Sequence, residues 1–346
     1  MYVAASHQTS GHSLSALLNP ATEAAARQNA NSDASDSQAL DAAAAKATAT
    51  PATRIEISAR AKQLLARANA EQTVVLRLLA QINALRHAAS STGAAAYDNA
   101  NITTGASDDV IDAYRYATIN AGDGNNKVST YDHATVSTGA GNDDIDTYGW
   151  STVNAGDGNN RVSTYDHAAV STGAGNDVIS TYGWSIVNAG NGNNKVDAYD
   201  HATVSTGAGN DVISSYGYAT INAGAGNDRI DSGDYSTVSG GDGNDAIAVG
   251  GYSSVSGGRG DDSIRISGSN ASVAFDRGDG HDVIRSSGDL TLAISGYSQS
   301  DVSVTRNGGT AVVSFKGSDD SIVLNLDGNA TATLSFADHS TLNLSV

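Results

Sequence analysis

The chain has 346 residues and a formal net charge of −18, from 37 Asp and Glu against 19 Lys and Arg. That balance excludes a nucleic-acid partner, because phosphates need clustered Lys or Arg; with 38 glycines and only 5% aromatics the chain also lacks the bulk of an ordinary globular core. There is no cysteine and hence no disulfide. No apolar run is long enough for a transmembrane helix, and no charged segment followed by an apolar one near the N-terminus predicts an ordinary export signal there.

Residues 1–53 are Ala, Ser, Asn, Asp and Thr with Pro20 and Pro51, a low-complexity composition that buries little and is expected to be mobile. Over residues 54–100 the character changes. Good helix formers surround Val75, Leu78, Ile82 and Leu85, whose spacing predicts an amphipathic helical segment, either packed on the next domain or used for oligomerisation.

Residues 101–285 repeat every 17 residues, marked by Ile111, Val128, Ile145, Val162, Ile179, Val196, Ile213, Ile230, Ile247, Ile264 and, after a three-residue insertion, Ile284. Each unit holds two short alternating segments, one centred on the Ile179 type and one on the Val187 type, separated by a glycine turn on one side and a Tyr-containing turn on the other. A single unit cannot bury its apolar face, but stacked copies can. The expected fold is mainly β, a right-handed parallel β-solenoid or β-roll of about eleven 17-residue rungs at roughly 4.8 Å spacing.

In TGAGNDVIS, residues 172–180, Gly173 and Gly175 let the loop curl and turn its carbonyls to one side, and Asp177 adds a carboxylate. Stacked loops of this kind form a multi-oxygen cage suited to Ca2+, which takes six to eight oxygens in flexible geometry. The predicted metal carboxylates are Asp109, Asp143, Asp177, Asp211, Asp228, Asp245, Asp262 and Asp282 at the sixth loop position, with Asp123 and Asp157 at the third. The predicted carbonyl ligands are those of Gly139, Gly141, Gly173, Gly175, Gly207, Gly209, Gly224, Gly226, Gly241, Gly243, Gly258 and Gly260. Asn126, Asn160 and Asn194 replace the carboxylate on alternate rungs, beside Lys127, Arg161 and Lys195. A neutral Asn oxygen is the weaker ligand, so weaker sites are expected among rungs two to six and stronger ones from Asp211 onward. An Asx side chain can also cap a turn with no metal.

The nonapeptide resembles the calcium-binding G-G-x-G-x-D-x-U-x repeat of RTX (repeats-in-toxin) β-roll proteins. It departs in its first glycine, which is Thr or Ala until Gly240 and Gly257, and in carrying eight further residues per unit, so one file of ions along one side is expected. Residues 286–346 resemble the domain that follows such repeats in haemolysin-type proteins, on Asp301 to Arg306 with Gly308, Gly317 to Ile322 and Phe336 to Asp338; His339 and Ser340 stand where that family has Gly-Thr. Alternating segments there are expected to cap the open end of the solenoid. The resemblance implies a bacterial protein exported by type I secretion machinery through an uncleaved C-terminal signal, and calcium-driven folding outside the cell.

Opposite the loops run two ring columns: Tyr114, Tyr131, Tyr148, Tyr165, Tyr182, Tyr199 and Tyr216, and then Tyr116, His133, Trp150, His167, Trp184, His201, Tyr218, Tyr235 and Tyr252. They predict a stacked ladder; Tyr148, Trp150, Tyr182, Trp184, Tyr216 and Tyr218 are the candidates for recognising polysaccharide or a partner. A Thr-x-Ser/Asn array over Thr118, Thr135, Thr152, Thr203, Thr220 and Thr237 resembles the surface of β-solenoid ice-binding proteins, with Ala169 and Ile186 interrupting it. Residues 1–100 hold no His-Glu-x-x-His and no Gly-x-Ser-x-Gly. The expected function is a secreted structural or adhesive protein and not an enzyme, self-associating in a surface layer or matrix; carbohydrate binding and ice binding are the alternatives.

Overall fold

The computed structural model describes residues 94–96 and 98–345. The low-complexity segment and, up to residue 93, the helical segment expected over 54–100 lie outside the described residues. Each 17-residue unit gives two short strands, and alternate strands enter two parallel sheets. The pairing register equals the sequence period: Ile179 lies between Val162 and Val196 in one sheet, and Val170 between Val153 and Val187 in the other. Stacking begins ahead of the boundary expected at residue 101, because Ala94–Ala96 already pairs with Ile111–Ala113.

Alternation within each strand decides which face is dry. In Thr118–Gly122, Ile119 and Ala121 are buried while Thr118 and Asn120 face out, and the same pattern recurs along the stack. The Ile111 to Ile284 column and the Ile119 to Val273 column meet inside, each residue at most 3% exposed. Burying one such side chain contributes about 1.5–3 kcal/mol, so a narrow core of recurrent Ile and Val replaces the bulk that the composition lacks. The other inward positions are small until Val249 and Ile266 near the cap. Ala113, Thr130, Thr147, Thr164 and Ala198 fill one column and Ala117, Ala134, Ser151, Ala168 and Ala202 another, which lets the two sheets close towards the Tyr turn.

The C-terminal segment first continues the solenoid and then reverses it. Ser321–Leu326 adds in parallel to His281–Ser286, and Thr331–Phe336 adds in parallel to Leu290–Ile294. Antiparallel strands then end both sheets, the hairpin of Val302–Asn307 and Thr310–Phe315 on one and Thr341–Ser345 on the other. Here the core gains the rings that the repeats lack, with Phe275 and Tyr297 stacked on Phe315 at 5.2 and 4.3 Å between centroids. Asp320, in the Gly317–Ile322 stretch, accepts hydrogen bonds from the Gly278 amide at 2.8 Å and from the Tyr297 hydroxyl. It thereby fastens the lengthened loop around Gly278 onto the cap.

The stack is close enough that the loop glycines are obligatory. At Gly226, with φ +138°, a Cβ would lie 1.9 Å from the Gly209 carbonyl oxygen of the preceding rung, whereas a Cβ at Gly309 meets nothing. Gly226→Ala is therefore expected to cost at least about 2 kcal/mol in denaturant unfolding, and Gly309→Ala to stay within about 0.5 kcal/mol of the parent.

Candidate metal centre

The glycine loops stack along one edge of the solenoid, and two ladders of Asn and Asp side chains tie them together. At the fifth loop position the side-chain oxygen accepts the backbone N–H of the next rung: Asn142 donates to Asn125, Asn159 to Asn142, and so on to Asp261 and Asn244, at 2.6–2.9 Å. At the sixth position the direction reverses. The backbone N–H of Asn126 donates to Asp143 Oδ1, that of Asp143 to Asn160, that of Asn160 to Asp177, and so on to Asp262 and Asp282, at 2.7–3.0 Å. The fifth-position ladder is exposed and the sixth-position ladder is buried. Each loop therefore gives an oxygen to both of its neighbours.

Asp and Asn use Oδ1 alike and differ in the second atom. Since Asn126 Oδ1 accepts a backbone N–H, its other end is the amide nitrogen, which donates to the Gly122 and Gly124 carbonyls at 3.2 and 3.0 Å. Asn160 binds the Gly156 and Gly158 carbonyls, and Asn194 those of Gly190 and Gly192, in the same way. The Asn rungs therefore do not offer the weak oxygen ligand expected of them; they present a donor to the loop carbonyls.

On the Asp rungs the second atom is an oxygen. Oδ2 of Asp143, Asp177, Asp211, Asp228, Asp245 and Asp262 is buried without a hydrogen-bond partner, on residues at most 3% exposed. The Thr138 hydroxyl lies beside the Asp143 carboxyl, but its one proton goes to the Ala155 carbonyl at 2.7 Å. A Cβ placed on Gly240 would meet Asp245 Oδ2 at 2.1 Å and the Gly257 carbonyl oxygen at 2.5 Å. Carboxylate and carbonyl oxygens converge there with no donor between them, an arrangement that a positive charge would relieve. Burial raises the Asp143, Asp177 and Asp211 carboxyls. Burial, and then the neighbouring carboxylates, push Asp228, Asp245 and Asp262 up to about 6 and Asp282 to about 8.

Asp109, Asp143, Asp177, Asp211, Asp228, Asp245, Asp262 and Asp282 thus share one buried file, with the predicted glycine carbonyls in the loops around it. Asp123 and Asp157 do not join it. They are exposed, and each accepts the backbone N–H of the next loop, Ala140 at 2.9 Å and Ala174 at 2.8 Å. Lys127 and Arg161 reach Asp144 at 3.8 Å, and Lys195 reaches Asp197 at 2.7 Å, all on the outer face. Among the described residues no three His, Cys, Asp or Glu side chains converge as a metal cluster. An ion in these loops would be held largely by backbone oxygen.

On the opposite edge the Tyr114 to Tyr216 column stacks with centroids 4.3–5.7 Å apart and planes within 16°. Hydrogen bonding among the Tyr182, Tyr199 and Tyr216 hydroxyls pushes Tyr199 up to about 12. In the second column Trp150 stacks on His167 at 4.4 Å and Trp184 on His201 at 4.6 Å. The ring faces of Tyr148, Trp150, Tyr182, Trp184 and Tyr218 are turned to neighbours on both sides along the stack, whereas Tyr216 stacks on Tyr199 alone. A sugar ring would need those faces. His133 and His167 each bond the Asp before them through Nδ1, within the turn itself. The Thr face is in register but broken, with Ile186 lying 63% exposed between Ala169 and Thr203.

No protein-family model matches the chain, and no curated protein is significantly similar to it.

A carboxyl raised in the folded state favours folding as it takes up its proton. With the loops kept free of metal, stability should therefore rise as pH falls from about 8 through about 6 towards the ordinary Asp value of 3.8. Thermal melts in chelator check this, and Asp282→Asn should flatten the upper part of the rise.

Proposed function

We propose that the chain is a calcium-folded, secreted structural or adhesive protein of the RTX type. The observation that carries this reading is the file of buried carboxylate oxygens without donors, stacked against glycine-loop carbonyls. A loop edge of stacked carbonyls and single carboxylates offers many oxygens in adaptable geometry. That suits calcium better than magnesium, which keeps its own water and demands a regular octahedron. Asp143, Asp177, Asp211, Asp228, Asp245, Asp262 and Asp282 would supply charge, and the carbonyls of Gly139, Gly141, Gly173, Gly175 and their counterparts the remaining oxygens.

Binding to such sites is folding free energy, because the loops do not exist in the unfolded chain. Sites with dissociation constants of about 10⁻⁴ to 10⁻³ M would be empty at cytosolic calcium and filled at extracellular calcium. A charge of −18 keeps the unliganded chain expanded and suits passage through a type I secretion channel. The structural or adhesive part of the reading is supported by regularity: each surface feature recurs at every rung or every second rung, which suits a lattice or matrix contact more than a single-substrate site.

Calcium titration of the chelated chain, followed by circular dichroism and size analysis, is expected to show a cooperative gain of β signal and compaction, with magnesium producing neither. Self-association should appear only after folding. An identical β signal in excess chelator and in millimolar calcium would refute calcium-driven folding.

A further inference from the structure

We propose that the side-chain amides of Asn126, Asn160 and Asn194 stand in for a cation, so that these three rungs take no ion and the file is gapped before it becomes continuous from Asp211. This rests on the calcium reading above and deepens it: the sequence of each loop sets whether that loop needs metal.

Asp and Asn at the sixth position make the same bond through Oδ1 to the preceding rung. Only the second atom changes. An amide nitrogen there holds two loop carbonyls at 3.0–3.3 Å, whereas a carboxylate oxygen is left buried with no donor. A carbonyl oxygen already bound to an N–H and a carbonyl oxygen bound to a cation are both satisfied, but the amide also removes the negative charge that would attract the ion. The two solutions are therefore alternatives at a single point in the loop.

As far as Asp211 the first loop position varies with the sixth. Ala121, Ala155 and Ala189 accompany the three Asn, whereas Thr138, Thr172 and Thr206 accompany Asp143, Asp177 and Asp211. The Thr138 and Thr172 hydroxyls donate to the carbonyls of Ala155 and Ala189 on the next rung at 2.7 Å, so the Asn rungs have their first carbonyl capped from outside as well. After Ala223 this provision ends. Gly240 and Gly257 carry no side chain, and Asp228, Asp245, Asp262 and Asp282 follow without an intervening Asn. Lys127, Arg161 and Lys195 are not the substitutes, since their charges pair with Asp144 and Asp197 on the outer face. The loop edge thus divides into an N-terminal stretch that hydrogen-bonds alternate rungs internally and a C-terminal stretch that depends on metal at every rung.

Bound calcium counted by equilibrium dialysis and atomic emission on the full chain tests this. The triple variant Asn126→Asp, Asn160→Asp, Asn194→Asp should bind about three ions more than the parent, one per new carboxylate. Asp228→Asn beside Ala223 rebuilds the Ala-and-Asn loop of residues 121–126; it should bind about one ion fewer and melt at a higher temperature than the parent in chelator. Equal ion counts in all three chains, with a parent already filled at every rung, would overturn the substitution while leaving calcium binding intact. If no chain binds calcium, the calcium reading itself fails and the substitution with it. Should the triple variant not fold even in calcium, the ion count and melt of Asp228→Asn decide alone.

Discussion

Stacking loops at the strand spacing forces backbone oxygens together, and this constraint governs the rest of the structure. In a parallel solenoid the backbone of every rung repeats its neighbour, so a backbone group that one loop must satisfy has to be satisfied in all of them, by whatever side chain each rung carries. The carbonyls of one loop come within about van der Waals reach of the next rung's glycine Cα; at Gly241 an added Cβ would sit 1.8 Å from the Gly224 oxygen. Glycine is required there by proximity as much as by backbone angle. The Asn-Asx pair then closes the stack, since the oxygens of adjacent side chains accept backbone N–H groups from opposite neighbours.

The same repetition acts differently at the other edge. The turn there needs a left-handed residue, and Tyr116, His133, His201, Tyr218, Tyr235 and Tyr252 adopt it with φ between 46° and 58°, although these are not glycine. Where Trp150 and Trp184 stand, Gly149 and Gly183 take the positive angle instead. Ring stacking offsets the backbone cost, since an aromatic pair contributes about 0.5–1.5 kcal/mol beyond burial and a left-handed non-glycine residue costs a similar amount. The ladder is thus part of the turn's construction, which is why its ring faces are spent internally.

Much of this was legible in the sequence because a solenoid turns spatial neighbours into a fixed offset. The period of 17 placed Ile179 between Val162 and Val196, and the structure pairs them so; the Tyr column and the parallel two-sheet architecture followed from the same offset. The inward Thr130, Thr147 and Thr164 were not legible, because a Thr on an alternating strand reads as a solvated position. Nor was the outward turn of Asp123 and Asp157. Whether a loop carboxylate faces the interior depends on which side of the curled backbone its Cα lies, and the third and sixth positions lie on opposite sides. A signal was present for Asn126, Asn160 and Asn194 in their pairing with Ala121, Ala155 and Ala189, but its meaning required knowing that Oδ1 was already engaged.

The two halves of the loop edge carry different liabilities. On alternate rungs before Asp211 the Asn amides hold the carbonyls of their own loops. From Asp211 to Asp282 every successive loop carries a buried carboxylate, and burial, then the neighbouring carboxylates, raise the Asp228 and Asp282 carboxyls. The continuous stretch lies against the C-terminal cap, where Asp320 fixes the lengthened loop through Gly278 and the Phe275, Tyr297 and Phe315 rings pack. In a chain whose rungs each template the next, the rungs with an unbroken run of buried carboxylates therefore adjoin the ring-bearing cap. Ordering from that end lets the cap supply a fixed edge on which each loop is laid.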